Sequence, residues 1–164
     1  KRTAVHVDNV NEGVNASLGR GIDMAHSLIR VYLHYVWHTA GRESLLRGRL
    51  ETFVDRQIRT TLEEEQLLAL AVNSAWDHVH VFAGWNGSTA LGDFAQKAKG
   101  RTSHLWNNEA KREGDPDLSW QRGYGVLSVR RSDVSTVINY VDGQKRHHAK
   151  NEVWRPFEEI TEES

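Results

Sequence analysis

The stretch that decides the fold is Trp76-Asp77-His78-Val79-His80-Val81-Phe82. From His78 onward, valine alternates with histidine or phenylalanine, with the period of two that is typical of a half-buried β-strand. Successive side chains of a strand point to opposite faces, so Val79 and Val81 share one face and His78 and His80 share the other. The stretch therefore predicts a strand with an apolar face and a second face that carries two neighbouring imidazoles.

Outward from this strand, the periodicity of the chain predicts four strands and three helices. Their order is strand 28–39, helix 47–64, strand 66–75, strand 76–85, helix 88–112, strand 119–129 and helix 132–150. This order is the split β-α-β pattern of ferredoxin-like folds. We therefore expect an α+β domain whose antiparallel sheet has both main helices on one face, with an additional C-terminal helix. The opposite face of the sheet should carry Arg30, His34, His38, His78 and His80.

The chain is expected to form one domain with an extension at each end. Residues 1–23 show no sustained periodicity and are interpreted as an N-terminal extension outside the fold. The domain is expected at 24–150, followed by an acidic tail at 151–164. Inside the domain, Ser132 is the predicted N-cap of the last helix. Gly123, with a second glycine two positions on, predicts a bulge in the fourth strand.

Composition limits the classes of protein to which the chain can belong. It has 164 residues with 38% hydrophobic and 26% charged side chains, which is ordinary for a globular domain with a real core. The absence of cysteine excludes disulfides and thiolate metal sites. No run approaches the roughly 18 apolar residues of a membrane span and no secretory signal is visible, so we expect a cytoplasmic protein without membrane contact. With 21 Lys and Arg against 22 Asp and Glu, the chain can offer local basic surfaces without being strongly cationic.

Two pairs of residues have spacings that suit chemistry. His78 and His80 suit two-point metal ligation, although such a pair alone is more typical of structural histidines. Tyr140 and Gln144 are one helical turn apart and share a face of the last helix, but so would a boundary tyrosine and a solvated glutamine. Two histidines and an amide oxygen can hold a hard divalent metal with open coordination sites, and a phenol beside that metal can attack a phosphodiester. At this point the residues leave both interpretations open.

Four segments in one order along the chain carry a family resemblance. They are 33–39, 77–80, 120–129 and 140–148. Together they closely resemble the single-tyrosine HUH transposases of bacterial and archaeal insertion sequences, and the related REP-associated tyrosine transposases. The resemblance covers 24–150. The Tyr-x-x-x-Gln pattern followed by His-His is similar to the insertion-sequence branch in particular.

The resemblance implies roles for particular residues. It implies His78, His80 and Gln144 as ligands of Mg2+ or Mn2+, and Tyr140 as the nucleophile. It implies a ferredoxin-like catalytic domain that forms a homodimer, in which the tyrosine helix of one subunit can complete the site of the other. The implied substrate is single-stranded DNA with hairpin ends that are recognised by shape. Further DNA contacts are expected at Arg30, His34, His38, Lys97, Lys99, Arg101 and Arg122.

The expected function is that of a metal-dependent DNA transposase, which cleaves and rejoins single strands through a 5′-phosphotyrosine intermediate. Two other classes share parts of the pattern. A replication-initiator or relaxase-like nicking enzyme would use the same site, and a helicase domain or a larger chain would favour it. A domesticated, non-catalytic nucleic-acid-binding protein would keep the fold without the chemistry. The intact set of His78, His80, Tyr140 and Gln144 weighs against that last class.

Overall fold

Four strands and three α-helices follow one another in the computed structural model, which describes residues 28–145. They are β1 (Val31–His38), α1 (Gly48–Glu64), β2 (Leu68–Ser74), β3 (His78–Trp85), α2 (Leu91–Leu105), β4 (Gly125–Val129) and α3 (Val134–Asp142). The expected extension at 1–23, the tail at 151–164 and the part of the predicted last helix beyond 145 lie outside the described residues. The predicted helix 132–150 is too long, because α3 ends at Asp142, before Gln144.

The strands form one antiparallel sheet in the order β2-β3-β1-β4. β1 and β3 are the central pair, and their register places His38 opposite His78 and Val36 opposite His80. The two strands that α1 connects, β1 and β2, are separated by β3, which is the split arrangement that the sequence predicts. The α+β, ferredoxin-like fold class is therefore confirmed.

One face of the sheet is closed by α1 and α2 over a large apolar core. The buried side of α1 repeats at helical spacing and consists of Leu50, Phe53, Val54, Ile58, Thr61 and Leu62. From the sheet, the fully buried ring of Tyr35 stacks on Trp85 at 5.5 Å between centroids and meets Phe94 of α2 edge-on at 5.2 Å. Burial of each such side chain stabilises the fold by roughly 1.5–3 kcal/mol, so this face is the main source of stability.

The opposite face of the sheet is covered by α3. Val134, Val137 and Val141 of the helix are buried against Phe82 and other residues of the sheet. Asn73 of β2 holds the end of the helix, because its Nδ2 donates to the carbonyl oxygens of Val141 at 2.8 Å and of the next residue at 3.3 Å. The sequence therefore builds a short helix with an apolar stripe and fixes its end by a side-chain amide.

Two local predictions near β4 differ from the structure. Ser132 is not the N-cap of α3, because it lies inside a 3₁₀ turn at Arg131–Asp133 and its Oγ donates to Asp133. The fourth strand begins at Gly125 rather than 119. Before it, Trp120 makes an isolated bridge to Thr39. Gly123, at φ +77°, bends the chain between this bridge and the strand.

The second long helix is shorter than predicted at both ends. A turn that Asn86 closes by accepting from the backbone N–H groups of Ser88 and Thr89 precedes α2, and a π-helical turn at Trp106–Ala110 follows it. Across residues 28–145, no helix combines the length and the apolar composition that crossing a bilayer would require.

Candidate active site

Four histidines lie together beneath α3. His34 and His38 come from β1, His78 and His80 from β3, and all four are at most 2% exposed. Alternation along each strand puts them on one face, as predicted, and the β1–β3 register makes them neighbours. The prediction of a half-buried strand with a polar face toward solvent is wrong, because β1 and β3 are buried on both faces along most of their length.

The proposed ligands converge on one point. The Nε2 atoms of His78 and His80 are 3.0 Å apart, and the amide nitrogen of Gln144 lies 3.5 Å from His78 Nε2. Rotation of the Gln144 amide by half a turn exchanges its nitrogen and oxygen, so the oxygen can occupy the same position. Gln144 is fully buried, so the alternative of a solvated glutamine is wrong.

His78 and His80 each have a partner on the other ring nitrogen. His78 Nδ1 lies 2.7 Å from the Asp77 carboxylate, and His80 Nδ1 lies 2.9 Å from His34 Nε2. Partners of this kind orient a ligating imidazole and select the nitrogen that faces the metal. Asp77 and His34 therefore orient His78 and His80 so that both of their Nε2 atoms face the same point.

The charge states of these two partners suit that role. Burial alone would raise the pKa of Asp77, but the hydrogen bond and the electrostatic attraction of His78 more than offset it, so the pKa is lowered and the carboxylate stays ionised. Burial, together with the charge of His78, lowers the pKa of His34 to about 3. His34 is therefore neutral at pH 7 and can either donate to or accept from His80.

The distance between the two Nε2 atoms fits a divalent ion. Two imidazole nitrogens bound at about 2.1 Å, with the angle of about 90° of an octahedral site, lie about 3.0 Å apart. Without an ion, a proton on one Nε2 can bridge the same distance, so an ion would displace that proton. No group of three or more His, Cys, Asp or Glu side chains in the described part of the chain is placed to hold a metal. The mixed set of His78, His80 and Gln144 is therefore the candidate metal centre.

Tyr140 lies beside this centre. Its ring meets the His80 ring edge-on, with 6.0 Å between centroids and an interplanar angle of 87°, and it is 8% exposed. The Asn73 amide fixes the carbonyls just beyond it, and an ion pair between Lys145 and Glu51 of α1 fixes the chain just after Gln144. Both predicted helix residues therefore face the histidines.

The basic residues that the sequence assigns to DNA are divided between separate places. On α2, across the sheet from the histidines, Lys97 is paired with Glu65 and Arg101 with Glu64. Lys99, also on α2, donates to the backbone carbonyls of residues 121 and 123 at 2.6 and 2.7 Å. Arg30 and Arg122 are exposed. Their DNA contacts remain predictions, and the burial of His34 and His38 favours support of the metal ligands over direct contact with DNA.

Two residues of the site were not assigned from the sequence. Asp77 stands directly before the histidine pair, and an acidic neighbour of a candidate ligand is a signal that could have found it. Asn73 carries no such signal, because its contact with α3 depends on how the last helix docks.

The family model of the IS200-like transposases matches residues 27–144, and the chain therefore belongs to this transposase family. A crystal structure from Deinococcus radiodurans R1, of a protein assigned as a transposase, is 19% identical with a TM-score of 0.57 and covers 78% of this chain and 98% of that one. The structure of a REP-associated tyrosine transposase bound to a REP hairpin is 12% identical with a TM-score of 0.58, covering 79% and 74%. At these identities the structures support the fold alone. A search of curated proteins finds no match.

Proposed function

We propose that this transposase cleaves and rejoins single-stranded DNA with Tyr140 as the nucleophile and His78, His80 and Gln144 as the ligands of a divalent metal. The observation that carries the proposal is the convergence of the two Nε2 atoms to 3.0 Å beside the ring of Tyr140. Membership of the transposase family supports DNA strand cleavage and transfer as the reaction class.

The donor set supports a hard or borderline divalent ion. Two imidazoles and one amide oxygen leave coordination positions for water and a phosphate oxygen. Mn2+ and Mg2+ both accept such a mixture of nitrogen and oxygen ligands. When bound, the ion would polarise the scissile phosphate and stabilise the charge that develops during displacement. Asp77 and His34 would hold the two imidazoles in orientation throughout.

The role of Tyr140 is to exchange one phosphodiester for another. Its phenolic oxygen attacks the phosphorus and forms a 5′-phosphotyrosine ester, while the bond from phosphorus to the 3′ oxygen breaks. The phenol releases its proton to solvent, and the departing 3′ oxygen takes one up. In the rejoining step, a 3′-hydroxyl attacks the same phosphorus and Tyr140 leaves. Because the ester conserves the bond energy, no nucleotide cofactor is required.

The proposed substrate is single-stranded DNA whose ends form hairpins. The relative of similar fold is bound to a REP hairpin, which supports this class of ligand. We further propose a homodimer that acts in the cytoplasm, as the sequence predicts. Light scattering at micromolar concentration, with and without hairpin DNA, measures the assembly, and a monomer under both conditions would contradict it.

The decisive experiment removes one oxygen atom. Tyr140→Phe should keep the fold and the binding of hairpin DNA, but it should eliminate strand cleavage and the covalent protein–DNA adduct. A gel assay on single-stranded DNA from the element flank measures cleavage, and mass spectrometry locates the adduct. Tyr124→Phe is the matched control, because Tyr124 packs on Tyr35 on the other face of the sheet. Cleavage by the Tyr140→Phe variant, or an adduct on another tyrosine, would overturn the assignment.

A further inference from the structure

The helix that carries Tyr140 does not by itself position the proposed third ligand, Gln144. α3 ends at Asp142, and Gly143 separates it from Gln144. Helical spacing relates side chains only within a continuous helix, so contacts with the rest of the chain must bring Gln144 to His78. Gln144 is fully buried. Its position therefore depends on what holds the chain on either side of it.

Asn73 of β2 holds the chain before Gln144. The β2–β3 register places Asn73 directly opposite His80, and opposed residues of a sheet point to the same face. Its Nδ2 donates to the carbonyl oxygens of Val141 at 2.8 Å and of Asp142 at 3.3 Å. The last carbonyls of an α-helix generally lack partners within it, and Asn73 supplies one from the sheet. One side chain thus joins the neighbour of a proposed metal ligand to the end of α3.

Helix α1 holds the chain after the proposed ligand. The Glu51 carboxylate is paired with Lys145, the residue that follows the ligand. One turn further along α1, Asp55 accepts a hydrogen bond from the hydroxyl of Ser74, the next residue of β2 after the first anchor. The Glu51 and Lys145 side chains are 17% and 46% exposed, so water partly screens their attraction. We therefore expect a smaller contribution from this ion pair than from the Asn73 amide.

We propose that Asn73 and Glu51 are positioning residues that hold Gln144 at the metal from both sides. Asn73 fixes the chain before the ligand, and Glu51 fixes the chain after it through Lys145. A ligand that is already in place loses less conformational freedom when the ion binds, so both anchors raise the affinity for the ion. The proposal rests on the proposed function, which supplies the ion and Gln144 as its ligand.

The test is the affinity of metal-free, full-length protein for Mn2+, measured by electron paramagnetic resonance of the free ion. Asn73→Ala should weaken binding by about 10- to 100-fold, the range for loss of a group that orients a metal ligand. Glu51→Gln should weaken it by about 1.5- to 5-fold, the range for a partly exposed ion pair. Circular dichroism verifies the fold of each variant.

The chain offers a matched control for each anchor. The Asn108 amide also donates to a backbone carbonyl, at 2.9 Å, but it lies beyond α2. Glu64 also lies on α1 and is paired with Arg101 of α2. Asn108→Ala and Glu64→Gln should therefore bind Mn2+ as tightly as the wild type.

Combined substitutions distinguish positioning of Gln144 from a general loosening of the fold. Adding Asn73→Ala or Glu51→Gln to Gln144→Ala should weaken Mn2+ binding no further, because the anchors act only through that ligand. Exchanging the charges, with Glu51→Lys and Lys145→Glu together, should recover most of the affinity lost in Glu51→Gln.

The outcomes separate this inference from the proposed function. If Gln144→Ala weakens Mn2+ binding but Asn73→Ala and Glu51→Gln both bind like the wild type, the anchors are overturned and the metal assignment stands. Losses of the same size with and without Gln144 would also overturn the anchors. Wild-type affinity in Gln144→Ala would overturn the ligand assignment and the anchors with it.

Discussion

The two faces of the sheet are built from the same strands but bury opposite kinds of side chain. On the face closed by α1 and α2, β1 contributes Tyr35 and its apolar neighbours to a large aromatic and aliphatic core. On the face closed by α3, the alternate positions of β1 contribute His34 and His38. Burial of imidazoles gains far less than burial of aliphatic groups and requires partners for each ring nitrogen. The difference favours a role in stability for the first face and, under the proposed function, a role in catalysis for the second.

The largest expected effect is on the histidine face. His80→Ala should lower the cleavage rate on the order of 10³-fold or more, since a bound metal contributes several kcal/mol of transition-state stabilisation. Hairpin binding should be largely retained, because affinity for DNA comes mainly from phosphate contacts and shape. Cleavage and binding assays on the same preparation measure both. His104→Ala, at an exposed histidine of α2, is the control, and unchanged cleavage by His80→Ala would remove the metal assignment.

The core face should show the reverse pattern. Phe94 is fully buried against Tyr35 and Trp85, so Phe94→Ala should lower the free energy of unfolding by about 3–5 kcal/mol. Urea denaturation measures the loss. The cleavage rate per folded molecule should stay close to that of the wild type at low temperature. A loss of activity in fully folded Phe94→Ala protein would show that the two faces are coupled rather than separate.

A smaller, pH-dependent effect belongs to Asp55, which α1 presses against β2. Burial raises its pKa to about 6, against the hydrogen bond from Ser74. The folded protein therefore holds a proton between about pH 4 and 6 that the unfolded chain releases. The contribution of Asp55 to stability should fall as the pH rises through this window, by up to about 3 kcal/mol.

Asp55→Asn removes this dependence while it keeps an oxygen that can accept from Ser74. Compared with the wild type, the variant should gain in free energy of unfolding between about pH 4.5 and 7.5, as measured by urea denaturation at both values. A difference between variant and wild type that stays constant over this range would contradict the assignment.

The smallest effect concerns the support of the metal ligands. His34→Phe keeps a buried ring but removes the partner of His80 Nδ1, so the affinity for Mn2+ should fall by about 10- to 100-fold. Titration of free Mn2+ by electron paramagnetic resonance measures this without reference to activity. His34→Gln, which keeps a polar group, should recover part of the affinity. Equal Mn2+ affinity in His34→Phe and wild type would reduce His34 to a packing residue.

Local sequence patterns predict those parts of the fold and site that depend on residues close together in the chain. The shared face of His78 and His80 follows from strand alternation. Helical spacing alone does not place Gln144 beside Tyr140, because α3 ends at Asp142. The contact between His34 and His80 does not follow from either pattern, because it depends on the register between β1 and β3.

Sequence patterns also could not predict that the site is buried. A polar strand face predicts contact with water unless another part of the chain covers it, and that depends on tertiary packing rather than on the local pattern. The error at Ser132 is of the same kind. A serine before a helical stripe predicts an N-cap, but the 3₁₀ turn moves the helix start one residue on and gives Ser132 a different partner.

The hydrogen bonds from Asn73 to the end of α3, and the burial of the residues beside it, bear on which DNA the protein would cleave. The Tyr140 ring is 8% exposed and the histidines beside it are at most 2% exposed. Under the proposed function, a DNA phosphate could reach Tyr140 only after a local rearrangement, and DNA that binds too weakly to drive it would remain uncut.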